Sequence, residues 1–165
     1  MKDGFLKAAA LSPALRVADC AYNVRQITEA LRKAAARGVK LAVFPEFCLT
    51  GYTCGDLFLQ RTLQTGALDA LSTLLDETKA LDVVTLVGLP LLVHGKLYNC
   101  AAVLCHGRIL GLVPKTYLPN YGEFYEKRQF TPGSTEVELV EVCGQQVSFG
   151  TSLLFCCRQM PSFVL

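Results

Sequence analysis

Short apolar runs and stretches of helical periodicity alternate along the first part of the chain. Residues 5–11 and 39–44 form apolar runs of strand length. Between them, apolar positions recur at helical spacing, at Val24, Ile27, Leu31 and Ala34. Asp19 stands where a helix N-cap is expected, and Gly38 where the chain would leave the helix. The pattern predicts a strand–helix–strand unit, which is the building block of a sheet covered by helices.

A second helix and an antiparallel meander are predicted next. Residues 61–81 carry leucines at helical spacing, and residues 83–89 form a continuous apolar run typical of a strand covered on both faces. His94-Gly95-Lys96 and His106-Gly107-Arg108 are turn signals. They divide the following stretch into predicted strands at 83–93, 97–105 and 109–113. We therefore predict an α/β domain that fills residues 1–165 without an internal linker.

The remainder of the chain reads as a long loop followed by more strand. Residues 115–133 are polar and aromatic, and loops of this length in compact domains commonly carry function. Residues 136–142 and 145–149 predict a hairpin around Gly144. The final apolar residues, 163–165, predict the beginning of another strand.

Composition excludes several classes of function. Of the 165 residues, 52% are hydrophobic and only 18% charged, which favours an interior-rich fragment or a subunit with wide interfaces. The formal net charge of +2 leaves no basic footprint for nucleic acid. No apolar stretch reaches the roughly 20 residues of a membrane span, and the N-terminus does not resemble a signal peptide. We expect a cytoplasmic protein that binds neither nucleic acid nor membrane.

Cysteine usage points to reduced thiols. The chain has eight cysteines: Cys20, Cys48, Cys54, Cys100, Cys105, Cys143, Cys156 and Cys157. None forms a C-x-x-C pair and several lie in apolar runs, so all eight are interpreted as inert, buried thiols rather than a disulfide framework. Two histidines without ligand spacing predict no metal site.

Two charged residues follow apolar strands directly. Glu46 comes after the run that ends at Phe44-Pro45, and Lys115 comes after Val113-Pro114. A carboxylate and an ammonium at the mouths of buried strands are costly to desolvate unless they pair. Such a pair is often structural. It can also carry chemistry, with Glu46 as a general base toward a thiol and Lys115 as the partner of a developing oxyanion.

The loop after Lys115 offers further candidates. It carries aromatic and acidic side chains, namely Tyr117, Tyr121, Glu123, Phe124, Tyr125 and Glu126. They are interpreted either as a loop packed by its own side chains or as the rim of a substrate pocket.

Three motifs together resemble the nitrilase, or carbon–nitrogen hydrolase, superfamily. They are Pro45-Glu46-x-x-Leu49-Thr50-Gly51-Tyr52, Lys115-Thr116-Tyr117-Leu118-Pro119-Asn120-Tyr121 with Glu123-Phe124-Tyr125-Glu126 after it, and Phe149-Gly150-Thr151-x-Leu153-Leu154-Phe155. The second and third are most similar to the N-terminal glutaminase domains of glutamine-dependent NAD synthetases. The likeness covers essentially the whole chain and implies a four-layer α-β-β-α sandwich.

The resemblance also implies a function. Members of this branch use a Glu–Lys–Cys triad to hydrolyse glutamine, and a C-terminal synthetase domain uses the ammonia with ATP and Mg²⁺ to make NAD from nicotinic acid adenine dinucleotide. By motif position Glu46 resembles the general base and Lys115 the oxyanion partner. Tyr52, Tyr121 and Glu126 resemble substrate-pocket residues. The family further implies a homo-oligomer, and no cofactor in the glutaminase domain itself.

One element of the family pattern is not found. The family's nucleophilic cysteine follows the segment that Phe163-Val164-Leu165 resembles, and none of the eight cysteines has its sequence context. We therefore expect an incomplete, C-terminally truncated glutaminase domain without its synthetase domain, inactive as an isolated chain.

Two other interpretations remain open at this point. The chain could belong to another carbon–nitrogen hydrolase, such as an aliphatic amidase or a carbamoylase, which uses the same triad on a different substrate. It could also be a non-catalytic assembly module, although a scaffold has no need of the Glu46 and Lys115 motifs.

Overall fold

The computed structural model describes residues 4–158 and 160–165, and it begins with the expected strand–helix–strand unit. Strand β1 (Ala8–Ala10) lies parallel to β2 (Leu41–Val43), and helix α1 (Cys20–Ala36) connects them. The Asp19 side chain accepts a hydrogen bond of 2.9 Å from the Tyr22 amide, which confirms it as the N-cap. Gly38 has a φ of +78°, the conformation that ends many helices.

Both strands are shorter than predicted. The first run was expected to be buried from residue 5, but Phe5 is 79% exposed and only Ala8–Ala10 pair with β2. The reason is that β1 forms one edge of the sheet, so it has a neighbour on one side only.

Helix α2 (Arg61–Thr78) leads into β3 (Val84–Val93), which pairs parallel to β2. The helix ends three residues before the predicted limit at residue 81. There the chain turns so that the Val84 amide can donate to the Lys40 carbonyl at 2.9 Å. The chain makes two successive parallel crossovers in one direction along the sheet, and their helices α1 and α2 pack together.

The meander is confirmed. Strands β3, β4 (Lys96–Cys105) and β5 (Arg108–Pro114) are successive antiparallel neighbours. The two turns between them are His94-Gly95 and His106-Gly107, and all four residues have positive φ. Two-residue turns of this kind match the twist of the flanking strands.

A last hairpin completes the main sheet. Strands β6 (Glu138–Val142) and β7 (Gln145–Phe149) pair antiparallel, as predicted, and β7 joins β5 in parallel. The seven strands lie in the order β1-β2-β3-β4-β5-β7-β6. Two short 3-10 helices, Gly55–Leu59 and Glu126–Arg128, lie in the connections after β2 and β5.

The two faces of the sheet differ. Side chains that point toward the helices are fully buried, among them Ala42, Val87, Ala102 and Leu112. The second face is also apolar but more open. Strands β8 (Cys156–Cys157) and β9 (Met160–Val164) form a small second sheet. The segment just before β8 covers part of the second face, because a Cβ on Gly111 would lie 2.8 Å from the Phe155 ring.

The layers therefore run helices, main sheet, second sheet, in the order that an α-β-β-α sandwich requires. In the described part of the chain, neither helix is long and apolar enough to cross a membrane.

Candidate active site

Glu46 is carried to the second face of the sheet by a sharp turn after β2. Beyond Val43 the chain crosses strand β3 at Gly88, where a Cβ would overlap the Phe47 backbone nitrogen and lie 3.1 Å from the Glu46 Cα. The Leu49 amide donates to the Gly88 carbonyl at 3.3 Å, and Phe47 has a φ of +51°. Only a residue without a side chain at position 88 allows this close approach.

Lys115 reaches the same place from the end of β5. Its backbone amide donates to the Asn99 carbonyl at 2.7 Å, which extends the ladder between β4 and β5 by one hydrogen bond. Its Nζ lies 2.9 Å from Glu46 Oε1 and 3.1 Å from Glu126 Oε1. A single ammonium therefore bridges two carboxylates from different parts of the chain.

Glu126 is the buried member of the cluster. It begins the short 3-10 helix, its amide donates to the Pro119 carbonyl at 3.2 Å, and the residue is 6% exposed. Its Oε1 accepts from the Tyr52 hydroxyl at 3.0 Å as well as from Lys115. Its Oε2 lies 3.0 Å from Lys115 Nζ, off the direction of a hydrogen bond. A carboxylate this deep needs its cation nearby, since an unpaired buried charge is very costly.

The pKa values of two residues in the cluster, Lys115 and Tyr52, are raised. Burial alone would lower the pKa of Lys115, but the hydrogen bonds and charges of Glu46 and Glu126 outweigh burial and raise it above its ordinary value. Burial and the hydrogen bond to Glu126 raise the pKa of Tyr52 to about 12. Lys115 is therefore cationic and Tyr52 a neutral donor at physiological pH.

An aromatic wall supports the cluster from behind. The rings of Phe47, Phe58 and Phe130 pack with centroids 4.7 to 5.1 Å apart. A cavity of about 400 Å³ lies between these rings, Tyr52 and Glu126. Asp56 and Arg128 form two hydrogen bonds of 2.9 and 3.0 Å that connect the two 3-10 helices beside this cavity.

On its other side the cluster opens onto the second face of the sheet. An apolar groove of about 360 Å³ lies there, with Glu46, Asn99 and Lys115 along it. Its apolar lining comes from four neighbouring strands, through Val43, Leu86, Ala101 and Val113. A base and an ammonium at one end of an apolar groove suit proton transfer and oxyanion stabilisation on a group that enters the groove.

The comparison with family models matches residues 7–157 to the carbon–nitrogen hydrolases. The chain belongs to the carbon–nitrogen hydrolase family. Among its relatives, the glutamine-dependent NAD(+) synthetase of Mycobacterium tuberculosis is 42% identical over 162 residues, which is 98% of this chain and 24% of the relative. The chain thus spans about a quarter of the length of the curated relatives it matches.

Solved structures of carbon–nitrogen hydrolases share the fold. A glutamine-dependent NAD(+) synthetase from Cytophaga hutchinsonii superimposes with a TM-score of 0.86 at 27% identity, over 93% of this chain and 26% of that chain. An amidase from Nesterenkonia sp. superimposes with a TM-score of 0.66 at 24% identity, over 87% of this chain and 54% of that chain. The second likeness shows the fold alone.

The structure brings together four of the five site residues predicted for this carbon–nitrogen hydrolase. Glu46, Lys115, Glu126 and Tyr52 form one hydrogen-bonded cluster. Tyr121 is not part of it: the side chain is 72% exposed and packs edge-on against Phe124, with centroids 5.7 Å apart. Its role in a substrate pocket stays a prediction.

Asn99 belongs to the same cluster and was missed by the sequence analysis. Its side-chain amide donates to Glu46 Oε1. It lies in an apolar strand pattern and its partner is 53 residues away. A lone polar residue at a buried strand position is a signal that could have found it, since a buried amide requires a partner.

The prediction that all eight cysteines are buried is wrong in part. Cys20, Cys48, Cys54 and Cys100 are buried, but Cys105, Cys143 and Cys157 are half-buried and Cys156 is exposed. Cys156 and Cys157 are more open because, within residues 4–158 and 160–165, the small second sheet pairs only β8 with β9. Among residues 4–158 and 160–165, no group of three or more metal-ligating side chains is placed to hold a metal ion.

Proposed function

We propose that this chain is the glutamine-hydrolysing part of a glutamine-dependent NAD synthetase. In this proposal a C-terminal synthetase domain, which uses ATP and Mg²⁺, takes up the ammonia and amidates nicotinic acid adenine dinucleotide. The observation that carries the proposal is the bridge from Lys115 to both Glu46 and Glu126 at the end of an open groove. The 42% identity to a glutamine-dependent NAD(+) synthetase supports the choice of glutamine.

The cluster would act on an amide as follows. Glu46 takes the proton of a thiol, the sulfur adds to the amide carbon, and the carbonyl oxygen becomes anionic beside Lys115. The C–N bond then breaks as the nitrogen receives the proton from Glu46 and leaves as ammonia, which gives a thioester. Water, deprotonated by Glu46, adds to the thioester carbon and releases glutamate and the thiol. Glu126 holds the ammonium of Lys115 in place throughout.

Two cysteines close to site residues in sequence are poorly suited to supply that thiol. Cys48 and Cys100 neighbour site residues in sequence, but both are buried, and burial raises their pKa, to about 12 for Cys48. A raised pKa and lack of access both oppose nucleophilic attack. In this proposal the reacting thiol is carried by another segment of the protein that packs on the apolar groove and places its sulfur against Glu46.

The remaining parts of the proposal concern the whole protein. We infer a cytoplasmic homo-oligomer, from the family resemblance and from the reduced cysteines. No cofactor is assigned to the glutaminase part, since the cluster supplies a base, a cation and positioning groups from side chains alone.

The test compares two nitrogen sources in the natural protein that carries this sequence. NAD formation is measured with glutamine and, separately, with free ammonia. Glu46→Gln and Lys115→Met should abolish the glutamine-dependent reaction and leave the ammonia-dependent one intact, because ammonia bypasses the hydrolytic step. Retention of the glutamine reaction in both variants would refute the residue assignments. Hydrolysis of simple amides without any NAD formation would place the protein with the amidases instead.

A further inference from the structure

Asn99 is a buried polar residue in the middle of an apolar strand. It lies on β4 opposite Pro90 of β3 and is 4% exposed. Burying a side-chain amide without a partner costs roughly 1–3 kcal/mol in proteins. A hydrophobic residue at position 99 would stabilise β4 more, unless the amide makes a specific interaction.

The side chain of Asn99 is bonded to the base of the candidate site. Its Nδ2 donates to Glu46 Oε1, the same oxygen that accepts from Lys115 Nζ at 2.9 Å. A carboxylate oxygen offers two lone pairs, so Asn99 and Lys115 together occupy the acceptor capacity of Oε1. In the described part of the chain, Oε2 of Glu46 accepts no hydrogen bond, and it is the oxygen left to receive a proton.

The backbone of Asn99 is bonded to the cation of the same site. Its carbonyl accepts from the Lys115 amide at 2.7 Å, the first hydrogen bond beyond the end of β5. One residue therefore fixes the carboxylate through its side chain and the start of the lysine through its main chain. A change in the side chain leaves the second contact available, so the two roles can be separated by mutation.

Gly88, on the neighbouring strand, explains why Glu46 needs this help. The Glu46–Phe47 segment rests on the backbone at Gly88, which has no side chain to contact it. The carboxylate is 39% exposed, so rotation about its side-chain bonds is open to it. Asn99 supplies the fixed neutral donor that selects one rotation.

We propose that Asn99 is a positioning residue that holds Oε1 of Glu46 and so reserves Oε2 as the proton acceptor. The inference rests on the proposed function in taking Glu46 as the base. The position of the carboxylate can nevertheless be measured without any activity.

The experiment uses two variants and a matched control in the natural protein. Asn99→Asp keeps the shape and replaces the donor with a second carboxylate, and Asn99→Ala removes the side chain. The control is Thr78→Val, which deletes another buried hydrogen bond, the one of 2.6 Å to the Leu74 carbonyl in α2, away from the site. Each variant is first checked for retained ammonia-dependent NAD formation.

The expected result is a change in kcat rather than in KM. Both Asn99 variants should lower kcat for glutamine hydrolysis by roughly tenfold to a hundredfold, because a misplaced base loses much of its contribution. KM for glutamine should stay within about threefold, since the Asn99 amide is already bonded to Glu46 and acts on the reaction through that carboxylate. Thr78→Val should leave both parameters near those of the unmodified protein. A loss shared equally by the control, or one confined to KM, would overturn the proposal.

Crystal structures of the same variants separate this inference from the proposed function. In Thr78→Val the Glu46 carboxylate should stay in place, with Oε1 near 2.9 Å from Lys115 Nζ. In Asn99→Asp and Asn99→Ala it should rotate away from that position. An unmoved carboxylate in both Asn99 variants would overturn the positioning role even if the protein hydrolyses glutamine. A rotated carboxylate would support it even if the substrate proves to be another amide.

Discussion

Lys115 Nζ lies 2.9 Å from Glu46 Oε1, although the two residues are 69 positions apart in the chain. The contact exists because β2 and β5 run in the same direction, so that their carboxyl ends lie at the same end of the sheet, with β3 and β4 between them. The separation across those two intervening strands is closed by the Glu46 segment, which crosses β3 at Gly88. Sheet topology and one glycine thus create the candidate site.

Removing the cation should destabilise the fold through Glu126. Lys115→Met leaves a carboxylate that is 6% exposed without its charge partner, and we expect a loss of about 3 kcal/mol in the free energy of unfolding. Urea unfolding at pH 7 measures this. The double variant Lys115→Met with Glu126→Gln should recover much of the loss, because the buried charge is then gone. Additive losses in the double variant would contradict the pairing.

A methyl group at position 88 should displace the Glu46 segment. The Cβ of Gly88→Ala would overlap backbone atoms of Phe47, which cannot move like a flexible side chain. We expect a lower melting temperature and, with it, loss of the proposed glutamine hydrolysis. The matched control is Gly66→Ala in α2, whose Cβ would lie at ordinary contact distance, 3.6 Å, from Cys20 Sγ. That change should raise stability by about 0.5–1 kcal/mol. Equal effects of the two substitutions would refute this account.

Tyr52 should be visible in an alkaline titration. The chain has six tyrosines, so the titration is best followed as the difference in phenolate absorbance between the unmodified protein and a single-tyrosine variant. Tyr52→Phe should remove a component that titrates near pH 12. Tyr117→Phe, a change at an 89% exposed residue, should leave that component in place. A titration curve with its latest component unchanged in Tyr52→Phe would be inconsistent with the hydrogen bond to Glu126.

The raised pKa values of Tyr52 and Lys115 set the sign of the pH dependence of stability. The folded-state pKa of Tyr52 is raised from 10.0 to about 12, and that of Lys115 is raised above 10.5. Both groups therefore contribute fully at neutral pH, and their contributions are lost as pH rises above about 10. Unfolding midpoints measured from pH 8 to pH 12 should fall less steeply in Tyr52→Phe than in the unmodified protein.

Thiol labelling should follow exposure and not sequence proximity to the site. At pH 7, N-ethylmaleimide should modify Cys156 first, because it is exposed, and should reach Cys48 and Cys100 only after unfolding, because they are 0% and 1% exposed. Mass spectrometry of peptides taken over time gives the order. Early labelling of Cys48 would contradict its burial and would reopen it as a nucleophile.

The sequence predicts most of the fold because its turns have a local chemical signature. His94-Gly95 and His106-Gly107 both adopt positive φ, so the strands of the meander could be delimited closely from residue type. The limits of the short edge strand β1 could not be predicted in this way. Phe5 and its neighbours are apolar, and the local sequence does not show that a strand has a neighbour on one side only.

Part of the candidate site could be predicted from one rule, namely that a charged residue directly after a buried apolar strand marks a site. Glu46 and Lys115 are found by that rule, and Glu126 and Tyr52 by motif resemblance. Asn99 was not predicted because its partner is distant in sequence. Tyr121, although in the same motif as Lys115, is exposed and packs on Phe124, and its role in a substrate pocket stays a prediction. Contacts between residues that are distant in sequence depend on tertiary packing, which local sequence patterns do not show.

The junction between β5 and β7 divides the main sheet into two unequal parts. One ladder pair, Leu112 with Phe149, joins β7 to β5, whereas five pairs hold the hairpin together. The Gln145 side chain adds hydrogen bonds of 3.1 Å to the Ile109 amide and the Gly107 carbonyl. Because this junction has fewer ladder pairs than the β3–β4 pairing, we expect the amides of the hairpin to exchange with solvent sooner than those of β3 and β4. None of Glu46, Lys115, Glu126 and Tyr52 lies in the hairpin. Their hydrogen bonds should therefore persist when the hairpin opens.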